Sequence, residues 1–189
     1  MAGDTDLVLE RILDAPIELV WKAYTSPEHI KRWWAPRPYA TSEVEIDWRP
    51  GGIFRAVMTG PDGFREDFPG CVLDFVPRER IVWTSALGPG FRPNDFTDRE
   101  GCEAFAFTAV ITFADAGGGK TAYKVIAMHG NAADREKHDK MGFQEGWGTL
   151  PASSRKSRRT YAFRRRQHAK MRRRPPDPRR TVTNFGSDQ

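Results

Sequence analysis

The sequence has 189 residues, with 30 lysine and arginine against 25 aspartate and glutamate residues, a formal net charge of +5. The charge is unevenly divided, because residues 151–189 hold 13 of the basic and 2 of the acidic residues, which leaves 17 basic and 23 acidic residues, a net −6, in residues 1–150. The overall positive charge is therefore no argument that residues 1–150 bind nucleic acid. No apolar run approaches the roughly 20 residues of a membrane-spanning helix.

The amino-terminal part predicts a strand followed by two short helices. Residues 7–13 form a short apolar run typical of a strand. Asp14 is predicted to cap the first helix, with Pro16 in its first turn. One side of that helix is formed by Leu19, Val20, Ala23 and Tyr24. Ser26 is predicted to cap the second helix, with Pro27 at the first helical position.

From residue 43 onward the pattern indicates an antiparallel sheet. Strands are predicted over residues 43–48, 53–58, 67–76, 80–87, 105–113 and 121–128. In residues 105–113 the apolar side chains occupy alternate positions, which places them on one face of the strand. A final helix is predicted from about Ala133. Because a sheet with one apolar face needs a covering layer, this order predicts an α+β fold whose last helix packs on the sheet.

Six short motifs occur in order along residues 7–149: Ala15–Trp21, Ala23–Pro27, Trp33–Pro36, Glu45–Gly52, Arg80–Trp83 and Met141–Trp147. Together they resemble the START-like superfamily of helix-grip folds, and within it the bacterial homologues of the activator of Hsp90 ATPase. The resemblance implies a curved antiparallel sheet of about six to seven strands on a C-terminal helix, with two short helices after the first strand. It also implies that residues 1–150 form the domain, with a largely apolar pocket between sheet and helix.

Eight side chains are candidates for the wall of that pocket: Trp33, Trp34, Phe54, Trp83, Phe105, Phe107, Met141 and Trp147. Each could equally be an ordinary core residue, but six tryptophans in a small domain favour an aromatic ligand site. The predicted function is therefore non-catalytic binding of a small apolar or aromatic molecule, without cofactor or metal. Two alternatives stay open: stimulation of an Hsp90-type chaperone, which the family name suggests, and a cyclase or hydrolase using the same pocket.

His129 and His138 are weak candidates for catalysis, one ending the last strand and one near the start of the last helix. A histidine titrates near neutral pH and suits acid–base chemistry, yet neither has an aspartate or glutamate partner recognisable by spacing. Cys71 and Cys102 lack the spacing of metal ligands. The amino terminus has no basic and apolar segments typical of a secretion signal, so a cytoplasmic location is expected. The sequence leaves the oligomeric state open.

Residues 151–189 break the pattern of the domain. Phe143, Trp147 and Leu150 begin an apolar stripe, but Ser154 and Ser157 follow at the next inward positions. Read one nucleotide out of frame, permitted codons for residues 152–161 encode Gln-Leu-Glu-Glu-Val-Ala-Lys-Asn-Leu, which restores apolar side chains at positions 154, 157 and 161. The tail is therefore interpreted as a frameshift product.

The alternatives for the tail are a genuine basic extension and a disordered segment without a role. A genuine extension would bind nucleic acid or an anionic membrane through phosphate contacts, with strong salt dependence. A disordered segment is consistent with the lack of apolar periodicity. Sequencing the coding DNA across codons 147 to 162 separates a frameshift from an intact frame.

Overall fold

The structure, a computed structural model, describes residues 3–96 and 105–148. Its strands are β1 (Asp6–Leu13), β2 (Ala40–Ile46), β3 (Ile53–Thr59), β4 (Arg65–Val76), β5 (Arg80–Thr84), β6 (Leu87–Gly88), β7 (Arg92–Pro93), β8 (Phe107–Gly117) and β9 (Lys120–His129). Its α-helices are α1 (Ile17–Thr25), α2 (Pro27–Trp33), α3 (Ala132–Lys140) and α4 (Phe143–Gly148). Seven strands form one antiparallel sheet in the order β1-β9-β8-β5-β4-β3-β2, and β6 pairs with β7. The predicted sheet and the two helices after β1 are confirmed.

The inner face of the curled sheet is built from alternate positions of neighbouring strands. One row in register runs across four strands through Leu9, Val125, Ile111 and Ile81. Each of these side chains is buried, with at most 3% of its surface exposed. The period of two that the sequence shows in residues 105–113 is therefore the physical basis of the core, because it turns every second side chain away from water.

The first helix begins later than predicted. Pro16, in extended conformation, is the residue before the helix, and its carbonyl accepts hydrogen bonds from the N–H groups of Leu19 and Val20. The prediction that Asp14 caps α1 is wrong. The residue before a proline is disfavoured in helical conformation, so the helix cannot extend back through Ala15. Leu19 is 60% exposed and does not join the buried side of α1.

The second helix has the predicted residues at its start, since Ser26 is the N-cap and Pro27 the first helical residue. The Ser26 side chain makes no capping hydrogen bond. Proline at this position does not destabilise the helix, because the N–H that proline lacks would have no partner within the helix. The helix packs on β2 and buries Ile30.

The final helix is divided in two. Asn131 caps α3, accepting a hydrogen bond from the Asp134 N–H at 2.9 Å, so the start lies close to the predicted residue. Gly142 then adopts a φ of +92°, which ends α3 before α4 begins. Only His138 in α3 and Phe143 in α4 are buried. The predicted boundary at residue 150 and the tail lie outside the described residues.

Two glycines around α4 should respond oppositely to alanine. Gly146→Ala is expected to raise the free energy of unfolding by about 0.5–1 kcal/mol, because alanine favours helix and an added Cβ would meet nothing within 4 Å. Gly142→Ala is expected to lower it, because a side chain disfavours a φ of +92°. Urea unfolding followed by circular dichroism measures both. Loss of stability in Gly146→Ala would contradict the description of α4.

None of the helices in the described part of the chain is long and apolar enough to cross a bilayer. Cys71 is a buried free thiol on β4, and the position of Cys102 lies outside the described residues.

Candidate functional site

An aromatic cavity lies between the inner face of the sheet and helices α1, α2 and α4. Ten side chains line it: Tyr24, Ile30, Trp33, Trp34, Trp48, Phe54, Ile81, Trp83, Ile111 and Trp147. Its volume, measured for the centre of a water-sized sphere, is about 10 Å³, which is room for about one water molecule. The described residues thus form an apolar site that is closed by its own rings.

Trp83 stands at the centre of this wall and reaches the ring of Phe54 across the strand that separates them. Phe54 on β3 and Trp83 on β5 stack with ring centroids 4.4 Å apart and planes at 16°, although β4 lies between their strands. The residue of β4 opposite Phe54 is Gly70, where a Cβ would come 3.4 Å from the Trp83 ring. Trp83 itself is in register with Val72 on β4 and with Ala109 on β8. Because Gly70 has no side chain, the rings of Phe54 and Trp83 can stack over β4 at this position.

Two tryptophans of the wall are fixed by hydrogen bonds to the end of α1. The indole N–H of Trp33 donates to the Ala23 carbonyl, and that of Trp48 to the Thr25 carbonyl, each at 2.9 Å. These bonds satisfy carbonyls at the end of the helix that have no partner within it. Trp33 and Trp48 therefore have a structural role as well as a place in the wall.

Trp34 and Trp147 are half-buried members of the wall, as are Trp33 and Trp48. Trp34 packs on Phe54 and Trp83 at centroid distances of 5.3 and 5.9 Å. Trp147, on α4, faces Trp83 at 6.4 Å with the planes at 23°. These two indoles lie between the deeper rings and the surface.

The structure brings five of the eight predicted pocket residues to the cavity: Trp33, Trp34, Phe54, Trp83 and Trp147. Phe107 does not line it but packs edge-on against Trp83, at 5.2 Å. Phe105 lies further away, against the two histidines. Met141 is half-buried and lies outside the lining.

Trp48 and Tyr24 are members of the wall that the candidate set missed. Both carried a usable signal. Trp48 belongs to a motif that resembles the family, and Tyr24 lies on the predicted inner side of α1.

A pair of tyrosines links α1, the sheet and α4. The hydroxyl of Tyr24 donates a hydrogen bond to the hydroxyl of Tyr123, and that of Tyr123 donates to the Trp147 carbonyl at 3.3 Å. Burial raises the pKa of both phenols above the usual value for tyrosine. Both hydroxyls therefore stay protonated across the physiological range.

His129 and His138 form a second polar pair. The Nδ1 of His129 lies 3.0 Å from the Thr5 carbonyl, and its Nε2 lies 2.8 Å from the Nδ1 of His138. Because a carbonyl only accepts, His129 carries a proton on Nδ1, and in the neutral pair His138 donates from its Nδ1 to the Nε2 of His129. The hydrogen bond ties the end of β9 to α3.

Aromatic rings enclose this histidine pair. The His138 ring lies 4.9 Å from that of Phe107 and 5.3 Å from that of Phe143. Burial, and next the charge of His129, lower the pKa of His138 to about 4. The sequence shows no acidic partner for either histidine. In the structure each is the hydrogen-bond partner of the other. Neither histidine lines the aromatic cavity.

Metal ligation has no support in the part of the chain that the structure describes, where no group of three or more histidine, cysteine, aspartate or glutamate side chains is placed to hold an ion.

Comparison with known proteins agrees with this architecture. Residues 14–152 match the family described as Activator of Hsp90 ATPase homolog 1-like protein. A crystal structure of a protein from Nitrosomonas europaea is 39% identical, with a TM-score of 0.69, over 78% of this chain and 90% of that chain. A Mycobacterium smegmatis protein is 25% identical, with a TM-score of 0.59, over 76% of this chain and 84% of its own.

A third structure, from Staphylococcus epidermidis, is 16% identical, with a TM-score of 0.62, over 78% of this chain and 85% of that chain, and shows the shared fold alone. Comparison with curated proteins finds no match. The family match spans most of the chain and includes every motif from Ala15–Trp21 to Met141–Trp147. The chain therefore belongs to the family of Activator of Hsp90 ATPase homolog 1-like proteins, with the helix-grip fold.

Proposed function

We propose that the aromatic cavity binds a small apolar or aromatic molecule without covalent chemistry. The observation that carries this proposal is the wall itself. Seven aromatic side chains, Tyr24 among them, and three isoleucines surround one space. Apolar walls with few polar groups are the usual form of small-molecule sites in proteins. Domains of this fold typically bind ligands, which gives the proposal support beyond the packing.

Binding requires one wall to move, because the closed cavity has room for about one water molecule. Trp147 is the side chain best placed to do so. It is half-buried near the end of the six-residue helix α4, which follows Gly142. Phe143, 1% exposed, anchors the start of this helix, and the Gln144 side chain donates to the Val8 carbonyl at 3.1 Å. At the other end the Tyr123 hydroxyl holds the Trp147 carbonyl at 3.3 Å, so the indole can turn away by rotation of its side chain while the backbone stays in place.

A flat ring that takes the place of the Trp147 indole would stack on Trp83, as Trp147 does at 6.4 Å. The ligand class that fits is thus a planar aromatic of one or two rings. Stacked aromatic contacts at centroid distances of about 4.5–7 Å are favourable beyond the area they bury.

The test compares indole binding by the full chain and by Trp147→Ala. Removing the Trp147 side chain vacates an indole-shaped space, so we expect Trp147→Ala to bind indole about ten-fold more tightly than the wild-type chain, the low end of what burial of one aromatic ring provides. Titration followed by ¹⁵N–¹H NMR measures the affinity and locates the shifted signals.

Phe91→Ala provides the control for this test. Phe91 is a large aromatic that is 51% exposed and lies outside the cavity, so its removal is expected to leave indole affinity unchanged. The proposal fails if neither the wild-type chain nor Trp147→Ala shows saturable binding with shifts at the cavity residues.

The two alternatives gain no specific support from the described residues. The two histidines considered for catalysis, His129 and His138, pack against Phe107 and do not line the cavity. Stimulation of an Hsp90-type chaperone follows from the family name alone. Ligand binding is the function that the geometry favours.

A further inference from the structure

We infer that the ligand of the aromatic cavity carries an O–H or N–H group, which donates a hydrogen bond to the hydroxyl oxygen of Tyr24. This inference rests on the proposed function and names the chemical class of ligand that the same cavity selects. Its basis is the direction of the hydrogen bonds that run from Tyr24 through Tyr123 to Trp147.

The three groups meet from three distant parts of the chain. Tyr24, on α1, is 4% exposed and lines the cavity, and Tyr123, on β9, is 2% exposed. The Tyr24 hydroxyl bonds to that of Tyr123, which lies 3.3 Å from the carbonyl of Trp147, another residue of the lining. The hydroxyl pair thus lies next to the part of the wall that Tyr24 and Trp147 share.

The carbonyl at the end fixes the direction of these bonds. A carbonyl oxygen only accepts, so Tyr123 uses its single proton toward Trp147. Tyr123 can then only accept from Tyr24, which uses the proton of Tyr24 as well. The oxygen of Tyr24 is left with a lone pair and no proton to give, so the pair offers the cavity an acceptor.

The sequence explains why the Trp147 carbonyl is available. In a helix the carbonyl of residue 147 would accept from the N–H of residue 151, but that residue is Pro151, which has no N–H. Tyr123 thereby supplies the hydrogen-bond donor that residue 151 cannot provide. Two of the indole donors in the wall are already used, since the N–H groups of Trp33 and Trp48 bond to the carbonyls of Ala23 and Thr25.

Charge does not change this assignment. Burial raises the pKa of both phenols, so no phenolate forms to attract a cation near neutral pH. The preferred ligand group is therefore a neutral donor such as a phenol, an alcohol or an indole N–H on an aromatic ring.

Indole and benzofuran test the inference, because they have nearly the same shape while one presents a donor and the other an acceptor. We expect the full wild-type chain to bind indole about five-fold more tightly than benzofuran, the effect of one neutral hydrogen bond. In Tyr24→Phe the ratio should fall to about one. In Tyr123→Phe the Tyr24 hydroxyl loses its acceptor and can donate, so the preference should move toward benzofuran. Titrations followed by ¹⁵N–¹H NMR give all three ratios.

Each result decides the inference. Equal affinities for indole and benzofuran in the wild-type chain overturn it while leaving ligand binding in place. A preference for indole that survives in Tyr24→Phe also overturns it. If neither compound binds to the wild-type chain or to Trp147→Ala, the proposed function fails and the inference fails with it. The wild-type comparison needs no variant to fold, and circular dichroism shows whether each variant does.

Discussion

Trp83→Ala is expected to lower the free energy of unfolding by about 3–5 kcal/mol, the range for removing a large buried aromatic side chain. Trp83 is 3% exposed and stacks on Phe54 with centroids 4.4 Å apart. It also packs on Trp34 and Phe107, at 5.9 and 5.2 Å. The residues in register with Trp83 are Val72 and Ala109, and neither side chain is long enough to refill the space of an indole, so the cavity would persist. Urea unfolding monitored by circular dichroism measures the loss.

Trp83→Phe is the matched control for this prediction. A phenyl ring keeps the stacking on Phe54 and fills much of the volume, so less than half of the loss is expected. Leu19→Ala tests the opposite extreme, since Leu19 is 60% exposed and its truncation should change stability by no more than about 0.5 kcal/mol. A loss below about 1 kcal/mol for Trp83→Ala would contradict the central position given to this side chain.

The elements with a strong period were predictable from the sequence. Residues 105–113 alternate apolar and other side chains, and the structure places Ala109, Ile111 and Phe113 in the core. Such a pattern is decided locally, because a strand turns successive side chains to opposite faces. The start of α1 was missed by two residues, because the proline effect on Ala15 outweighs the capping preference of Asp14.

The candidate site was predictable in kind and only partly in its members. Tryptophans in family motifs identified four of the ten lining residues: Trp33, Trp34, Trp83 and Trp147. The role of Gly70 depends on which strands are neighbours, which spacing within one strand does not reveal. The Tyr24–Tyr123 pair joins residues 99 apart in the sequence. The histidine pair joins β9 to α3 through one hydrogen bond whose partner has the same residue type. Contacts of this kind follow from tertiary packing, and the periodicity of the sequence does not predict them.

The second large effect is expected on acidification. The pKa of His138 falls from the ordinary 6.5 of a free histidine to about 4 in the folded chain, mainly because of burial. Between pH 6.5 and pH 4 the histidine is protonated in the unfolded chain but not in the folded chain. The free energy of unfolding therefore declines as the pH falls. The contribution is complete above about pH 6.5 and is lost progressively toward pH 4. A difference of this size corresponds to about 3 kcal/mol in the free energy of unfolding.

His138→Gln and His29→Gln separate this effect from the general titration of carboxylates. Glutamine at position 138 can still hydrogen-bond to His129 but does not titrate, so the decline between pH 6.5 and 4.5 should become shallower. His29 lies on α2, outside the pair, so His29→Gln is the control for the removal of a histidine elsewhere in the chain. Urea unfolding at half-unit steps of pH measures both slopes. If His138→Gln retains the full wild-type slope, the pair does not carry the pH dependence.

The pair ties β9 to α3, which leads through Gly142 into α4 and Trp147. Acid that breaks this hydrogen bond should therefore also loosen the wall of the aromatic cavity.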